Sequence, residues 1–113
     1  MLSYNKLKKI IEEKQNYLLI DVREEDELKY GVIPTSKHLP LSEFQEALEM
    51  DKKEFKKRYG FNLDKNHRII LYCRSGSRSG QAAEYLKSLG YKAENYPGSI
   101  LEWSKYDDNV EGY

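Results

Sequence analysis

Apolar positions change their period along this chain, and each change marks an element. Tyr4, Leu7, Ile10 and Ile11 recur at helical spacing behind Ser3, a residue type that caps helices, which predicts a helix from about Tyr4 to Lys14. Leu2 is assigned to a short strand ahead of it. Tyr17 to Val22 is a continuous apolar run with β-type residues, the pattern of a strand buried on both faces. A short acidic helix, Glu24 to Tyr30, follows and stops at Gly31. Lys37-His38-Leu39 reads as a short strand ended by Pro40. Ser42 then resembles an N-cap, with Phe44, Ala47 and Leu48 on one helical face. Asp51 caps a further turn or two, whose apolar side is Phe55, Tyr59 and Phe61, with Gly60 as the stop.

The second half repeats the alternation. Residues 62–67 are a polar connection, and Arg68 to Tyr72 is the central strand. A helix from about Ser79 to Leu89 carries the stripe Ala82, Ala83, Leu86, Leu89 and ends at Gly90. Lys92 to Tyr96 is a last strand. Pro97-Gly98-Ser99 then turns the chain into a short helix, Ile100 to about Tyr106. The polar tail from Asp107 is expected to fray. Strand and helix alternate throughout, which implies a single α/β domain over 1–113, with a mainly parallel sheet and helices on both faces. In such sheets the ligand site lies at the carboxyl ends of the strands. Cys73 is at such an end, and so are Arg23 and Gly98.

Composition narrows the partners. The chain has 19 Lys+Arg against 19 Asp+Glu, so it lacks the basic excess of a general nucleic-acid or anionic-membrane binder. The basic run Lys52, Lys53, Lys56, Lys57, Arg58 reads as a solvated helix face rather than a docking patch. Ten tyrosines suit a packed domain, not a disordered chain. The single cysteine excludes an intrachain disulfide and a Cys-based zinc cluster, and His38 and His67 lack metal-ligand spacing. A free thiol points to a reducing compartment, here the cytoplasm, with the mitochondrial matrix left open. No apolar run reaches a membrane-spanning length. Glu12 and Glu13 argue against reading residues 1–14 as a transit peptide.

Cys73 is the centre of the chemistry. A lone cysteine after a β run is often only a small buried hydrophobe. Here it is followed by Arg74-Ser75-Gly76-Ser77-Arg78-Ser79, so a strand, a tight loop and a helix N-terminus meet at one thiol. Unpaired N–H groups at a helix start, the helix dipole and two arginines all favour a thiolate. Two reaction classes fit such a loop. Phosphatases of the tyrosine class place five residues between cysteine and arginine, whereas four separate Cys73 from Arg78. A ring this small does not easily enclose a phosphate, but it can hold a thiolate or a persulfide sulfur.

The second class is sulfur transfer. Asp21-Val22-Arg23-Glu24, with Glu27 following, resembles the Asp-Val-Arg-Glu stretch of the rhodaneses. Gly31-Val32-Ile33-Pro34 with Leu39-Pro40-Leu41, the loop Cys73 to Ser79, and Gly90-Tyr91 with Pro97-Gly98-Ser99 and Trp103 resemble further segments of that family. Val32 departs from the usual histidine and Thr35-Ser36 from Gly-Ala, which should alter the turn more than the chemistry. The stretch Glu43 to Asn66 resembles the insert of small eukaryotic single-domain members.

The resemblance implies a three-layer α/β/α domain with a five-stranded, mainly parallel sheet and no metal or organic cofactor. It implies that Cys73 is the nucleophile and sulfur carrier, taking sulfur from thiosulfate and passing it to cyanide, glutathione or another thiol. A protein acceptor stays open. The N–H groups of Arg74 to Ser79 would hold the persulfide, with Arg74 and Arg78 as candidates for the sulfonate end. Asp21 and Arg23 would brace the loop, and Gly98 and Trp103 would support or wall it. The competing expectation is a relay or protein-binding module with little turnover. Phosphatase or arsenate reductase activity on the same fold ranks below both.

Overall fold

A computed structural model describes residues 1–113. Its sheet has four parallel strands in the order β2-β1-β3-β4: β1 Tyr17–Asp21, β2 Lys37–His38, β3 Arg68–Tyr72 and β4 Lys92–Asn95. The helices are α1 Tyr4–Glu12, α2 Phe44–Glu49, α3 Lys52–Tyr59, α4 Ser77–Ser88 and α5 Ser99–Trp103, and 3₁₀ turns cover Glu25–Tyr30 and Leu41–Glu43.

Alternation along the strands sorts the core into two layers. Ile69, Leu71 and Cys73 point to one face, with Ile20 and Val22, and meet α2, α3 and α4 through Phe44, Ala47, Phe55, Ala82, Ala83 and Leu86. Ile70 and Tyr72, with Leu19, point to the other face and meet α1 and α5 through Leu7, Ile10, Ile100 and Trp103. Each fully buried aliphatic chain contributes about 1.5–3 kcal/mol. The predicted three-layer α/β/α arrangement is therefore present.

Four expectations are corrected. The sheet has four strands, not five, and Ser3, directly before α1, is committed to the helix cap, accepting from the Lys6 N–H at 3.2 Å. Leu2 is buried in the core without being a strand. Ser42 does not cap α2; its hydroxyl donates to Glu24 at 2.9 Å instead. The tail does not fray: Val110 is buried in the core, the Glu111 N–H donates to the Tyr30 carbonyl at 2.8 Å, and Tyr113 stacks on Tyr30 with ring centres 4.2 Å apart.

Register places the site. Asp21 lies beside Tyr72 on β3 and beside His38 on β2, so the chain leaves β1 and β3 at the same end of the sheet. Arg23 and Cys73 emerge there together.

Candidate active site

The loop is shaped by Gly76, which holds φ +97° directly before α4. A Cβ there would collide with the Pro97 carbonyl and sit 3.0 Å from its Cα, so only glycine fits. The turn brings the Gly76 N–H to 3.1 Å from Cys73 Sγ, and the Ser79 hydroxyl donates to the same sulfur at 3.3 Å. Asn95 reaches over from β4, its Nδ2 donating to the Gly76 carbonyl at 3.1 Å. Cys73 and Ser79 are buried, Gly76 is half-buried, and Ser75 and Ser77 are exposed at the rim.

Burial pushes the Cys73 thiol up, but hydrogen bonds from the Ser79 hydroxyl and from the backbone N–H groups of Ser79, Gly76 and Ser75 outweigh it. The thiol therefore lies below its ordinary value. The donors that stabilise the thiolate come from the loop and the first turn of α4, more than from the arginines. Because the nucleophile is the thiolate, the rate of alkylation should rise with pH through a midpoint below the roughly 8.5 of a free cysteine. A midpoint at the free-thiol value, read from iodoacetamide kinetics, would contradict the arrangement.

The arginines have other partners. Arg78 forms a bidentate pair with Glu27, at 2.5 and 2.8 Å. That pair first, then the Tyr113 hydroxyl, against the opposing effect of burial, holds the Glu27 carboxyl down at about 2. Arg74 donates through Nε to the Tyr113 main-chain oxygen and lies over its ring, 5.2 Å from the centre. Arg23 is fully buried. Its Nη2 pairs with Asp21 at 2.7 Å and donates to the Gly31 carbonyl at 2.8 Å, and its Nη1 reaches the Glu27 carbonyl and the Tyr113 hydroxyl, both at 3.3 Å. Tyr113 thus touches Arg23, Arg74 and Glu27 at once.

A resident metal has no obvious seat, since no group of three or more His, Cys, Asp or Glu side chains converges. A cavity of about 610 Å³ opens between α2, α3 and the 62–64 connection, but none of its lining residues belongs to the Cys73 loop. What remains at the carboxyl ends of β1 and β3 is one buried, activated thiol in a ring of donors. Residues 3–106 match the family model described as a rhodanese-like domain. The chain belongs to the rhodanese-like domain family.

Several relatives carry sulfurtransferase names. A Schizosaccharomyces pombe protein provisionally named a mitochondrial thiosulfate sulfurtransferase is 49% identical over 89 residues, covering 77% of this chain. The match spans 63% of that protein's length. The thiosulfate:glutathione sulfurtransferase of Homo sapiens is 36% identical over 88 residues, covering 75% of this chain and 76% of its own. Among solved structures, a human single-domain sulfurtransferase superposes with a TM-score of 0.84 at 32% identity, covering 95% of this chain and 96% of that one.

Within this rhodanese-like domain the expected site residues separate into groups. Cys73, Gly76 and Ser79 converge on the sulfur, and Asp21 and Arg23 form a buried pair against the neighbouring turn. Gly98 starts α5, where a side chain would strike Glu102. Trp103 packs against Tyr4, ring centres 5.0 Å apart, in the cluster on the opposite sheet face from Cys73. Sequence reasoning passed over Ser99, Asn95 and Tyr113. Ser99 carried a weak signal, standing in a turn next to a strand end, whereas Tyr113 carried none.

Proposed function

We propose that this domain is a thiosulfate sulfurtransferase working through a Cys73 persulfide. The observation that carries the reading is the Cys73 sulfur itself, the chain's one thiol, which accepts from the Gly76 N–H and the Ser79 hydroxyl at the start of α4. The thiolate attacks the outer sulfur of thiosulfate. The S–S bond of the donor breaks, sulfite leaves with the electron pair, and Cys73 carries a persulfide. A thiophile, cyanide or a thiol such as glutathione, then attacks the terminal sulfur, and the Cys73 thiolate leaves unchanged. The N–H groups from Ser75 to Ser79 are the donors available to both thiolate and persulfide, in the manner of an oxyanion hole. Arg74 and Arg78 are proposed for the sulfonate end, with Glu27 and Tyr113 as the groups a donor anion must share them with.

Small molecules are the partners this reading needs, and a protein acceptor fits the same chemistry. No helix is long and apolar enough to cross a membrane. A free, reactive thiol fits a reducing compartment, the cytoplasm first; the mitochondrial name of the Schizosaccharomyces pombe relative makes the matrix the other candidate.

The test is to load the protein with thiosulfate, desalt it, and follow intact mass with and without acceptor. A one-sulfur adduct that survives desalting and is discharged by cyanide or glutathione is expected, because no second cysteine can resolve the persulfide internally. Varying donor and acceptor should give parallel double-reciprocal lines. An adduct without turnover would mark a relay module. Intersecting lines with no adduct would remove the carrier role. Hydrolysis of p-nitrophenyl phosphate that depends on Cys73 and exceeds sulfur transfer would reverse the choice of reaction.

A further inference from the structure

We propose that Ser99 is a positioning residue for the persulfide step, its hydroxyl fixing the main chain of Cys73 so that the sulfur stays aimed into the ring of donors. This rests on the sulfurtransferase reading. Ser99 is fully buried, and its Oγ donates to the Tyr96 carbonyl at 2.8 Å while accepting from the Cys73 N–H at 3.1 Å. The hydroxyl proton is thus committed, and a lone pair is left facing Cys73. The next N–H groups continue the grip: Ile100 donates to the Cys73 carbonyl at 3.1 Å and Leu101 to the Arg74 carbonyl at 3.0 Å. Cys73 is held at both its N–H and its C=O by consecutive residues of one turn. Its Cα–Cβ direction, and with it the position of Sγ against Gly76 and Ser79, follows from that grip.

The backbone of Ser99 makes the case specific. Its φ is +50°, one of three non-glycine residues on the left-handed side, where a Cβ is disfavoured. Glycine would meet the main-chain requirement without strain. A serine there retains the strain and gains only its hydroxyl, and that hydroxyl is spent on the main chain of the nucleophile. Strained backbone held in place by its surroundings is a recognised feature of functional sites. Without the hydroxyl, the Cys73 N–H is buried with no acceptor, since β4 ends at Asn95 and the chain has already turned away.

Ser99→Gly separates positioning from stability. It relieves the strained φ while deleting the hydroxyl, so thermal unfolding should stay close to that of the unsubstituted protein. The midpoint of Cys73 alkylation against pH should rise by roughly half to one unit, and kcat for thiosulfate with cyanide should fall roughly tenfold with the thiosulfate KM little changed, as for an interaction used on the way to the transition state. Ser99→Ala, which keeps the strain and loses the hydroxyl, should show the same two shifts with a lower unfolding temperature. If Ser99→Gly keeps the alkylation midpoint and kcat of the unsubstituted protein, Ser99 is only a turn residue and the proposal is overturned. Should the variants not fold, hydrogen exchange on the unsubstituted protein decides: a Cys73 amide that exchanges as fast as the exposed Ser75 amide overturns it, and a strongly protected one upholds it. The alkylation readout needs no sulfur donor. A failure of the sulfurtransferase reading, with no adduct in the unsubstituted protein, is therefore distinct from a failure here.

Discussion

Cys73→Ser should abolish sulfur transfer and leave the fold standing. The sulfur is the one atom in the chain able to form the proposed persulfide, and no second thiol can substitute for it. A serine hydroxyl in the same place would meet the Gly76 N–H and the Ser79 hydroxyl that now serve the sulfur. Its polar atom would therefore be paired, and a paired buried hydroxyl costs little, about 1 kcal/mol or less. What it lacks is chemistry: near neutral pH it is not ionised, and it does not take up sulfane sulfur. Thiocyanate formation from thiosulfate and cyanide should fall by on the order of 10³-fold or more, the scale of losing an activated nucleophile. Circular dichroism and thermal unfolding serve as fold controls. Substantial activity in a folded Cys73→Ser protein would end the persulfide mechanism.

Local pattern made the sulfur's position legible. The apolar run Ile69-Ile70-Leu71-Tyr72 marked a β-strand ending at the cysteine, and the loop after it needed only Gly76 and the first turn of α4 to turn donors toward the thiol. The arginines were less legible because their partners are remote in sequence. Arg78 looked like a free cation for the donor anion, yet its mate is Glu27, 51 positions earlier, brought over by the 3₁₀ turn after β1. Arg74 likewise meets Tyr113, 39 positions later. Pairings of that kind depend on where two loops end at one edge of a sheet, which no residue pattern encodes.

The tail misled for a related reason. Asp107, Asp108, Asn109 and Glu111 are polar, but the anchors are two separate side chains, Val110 in the core and Tyr113 on Tyr30. Anchors too sparse for any period look like a loop. Trp103 shows the opposite ambiguity: a large aromatic near a site fits wall and core equally, and only the sheet face, opposite to Cys73, separates them.

Arg23 carries the largest expected effect on stability. Its guanidinium is fully buried against Asp21, with a side-chain exposure of 0% against 2% for the carboxylate. Burial works against the charge, but the hydrogen bond and charge of Asp21 more than offset it, so Arg23 stays protonated. The pair sits where β1 ends, and Arg23 also ties down the Gly31 and Glu27 carbonyls. Arg23→Met removes the cation and leaves Asp21 charged and buried beside an apolar chain. Breaking one partner of such a pair costs about 3–5 kcal/mol, although replacing both is often far cheaper. Urea unfolding should show that loss for Arg23→Met, and the double variant with Asp21→Leu should recover part of it, because the stranded charge is gone. Recovery should be incomplete, since the Gly31 and Glu27 carbonyls still lose their donor. Turnover should suffer in the single variant even below its unfolding transition, because the turn carrying Glu27, and through it Arg78, is no longer tied to β1. A loss below about 1 kcal/mol for Arg23→Met would place this ion pair with ordinary surface pairs, and the brace assigned to it would have to lie elsewhere.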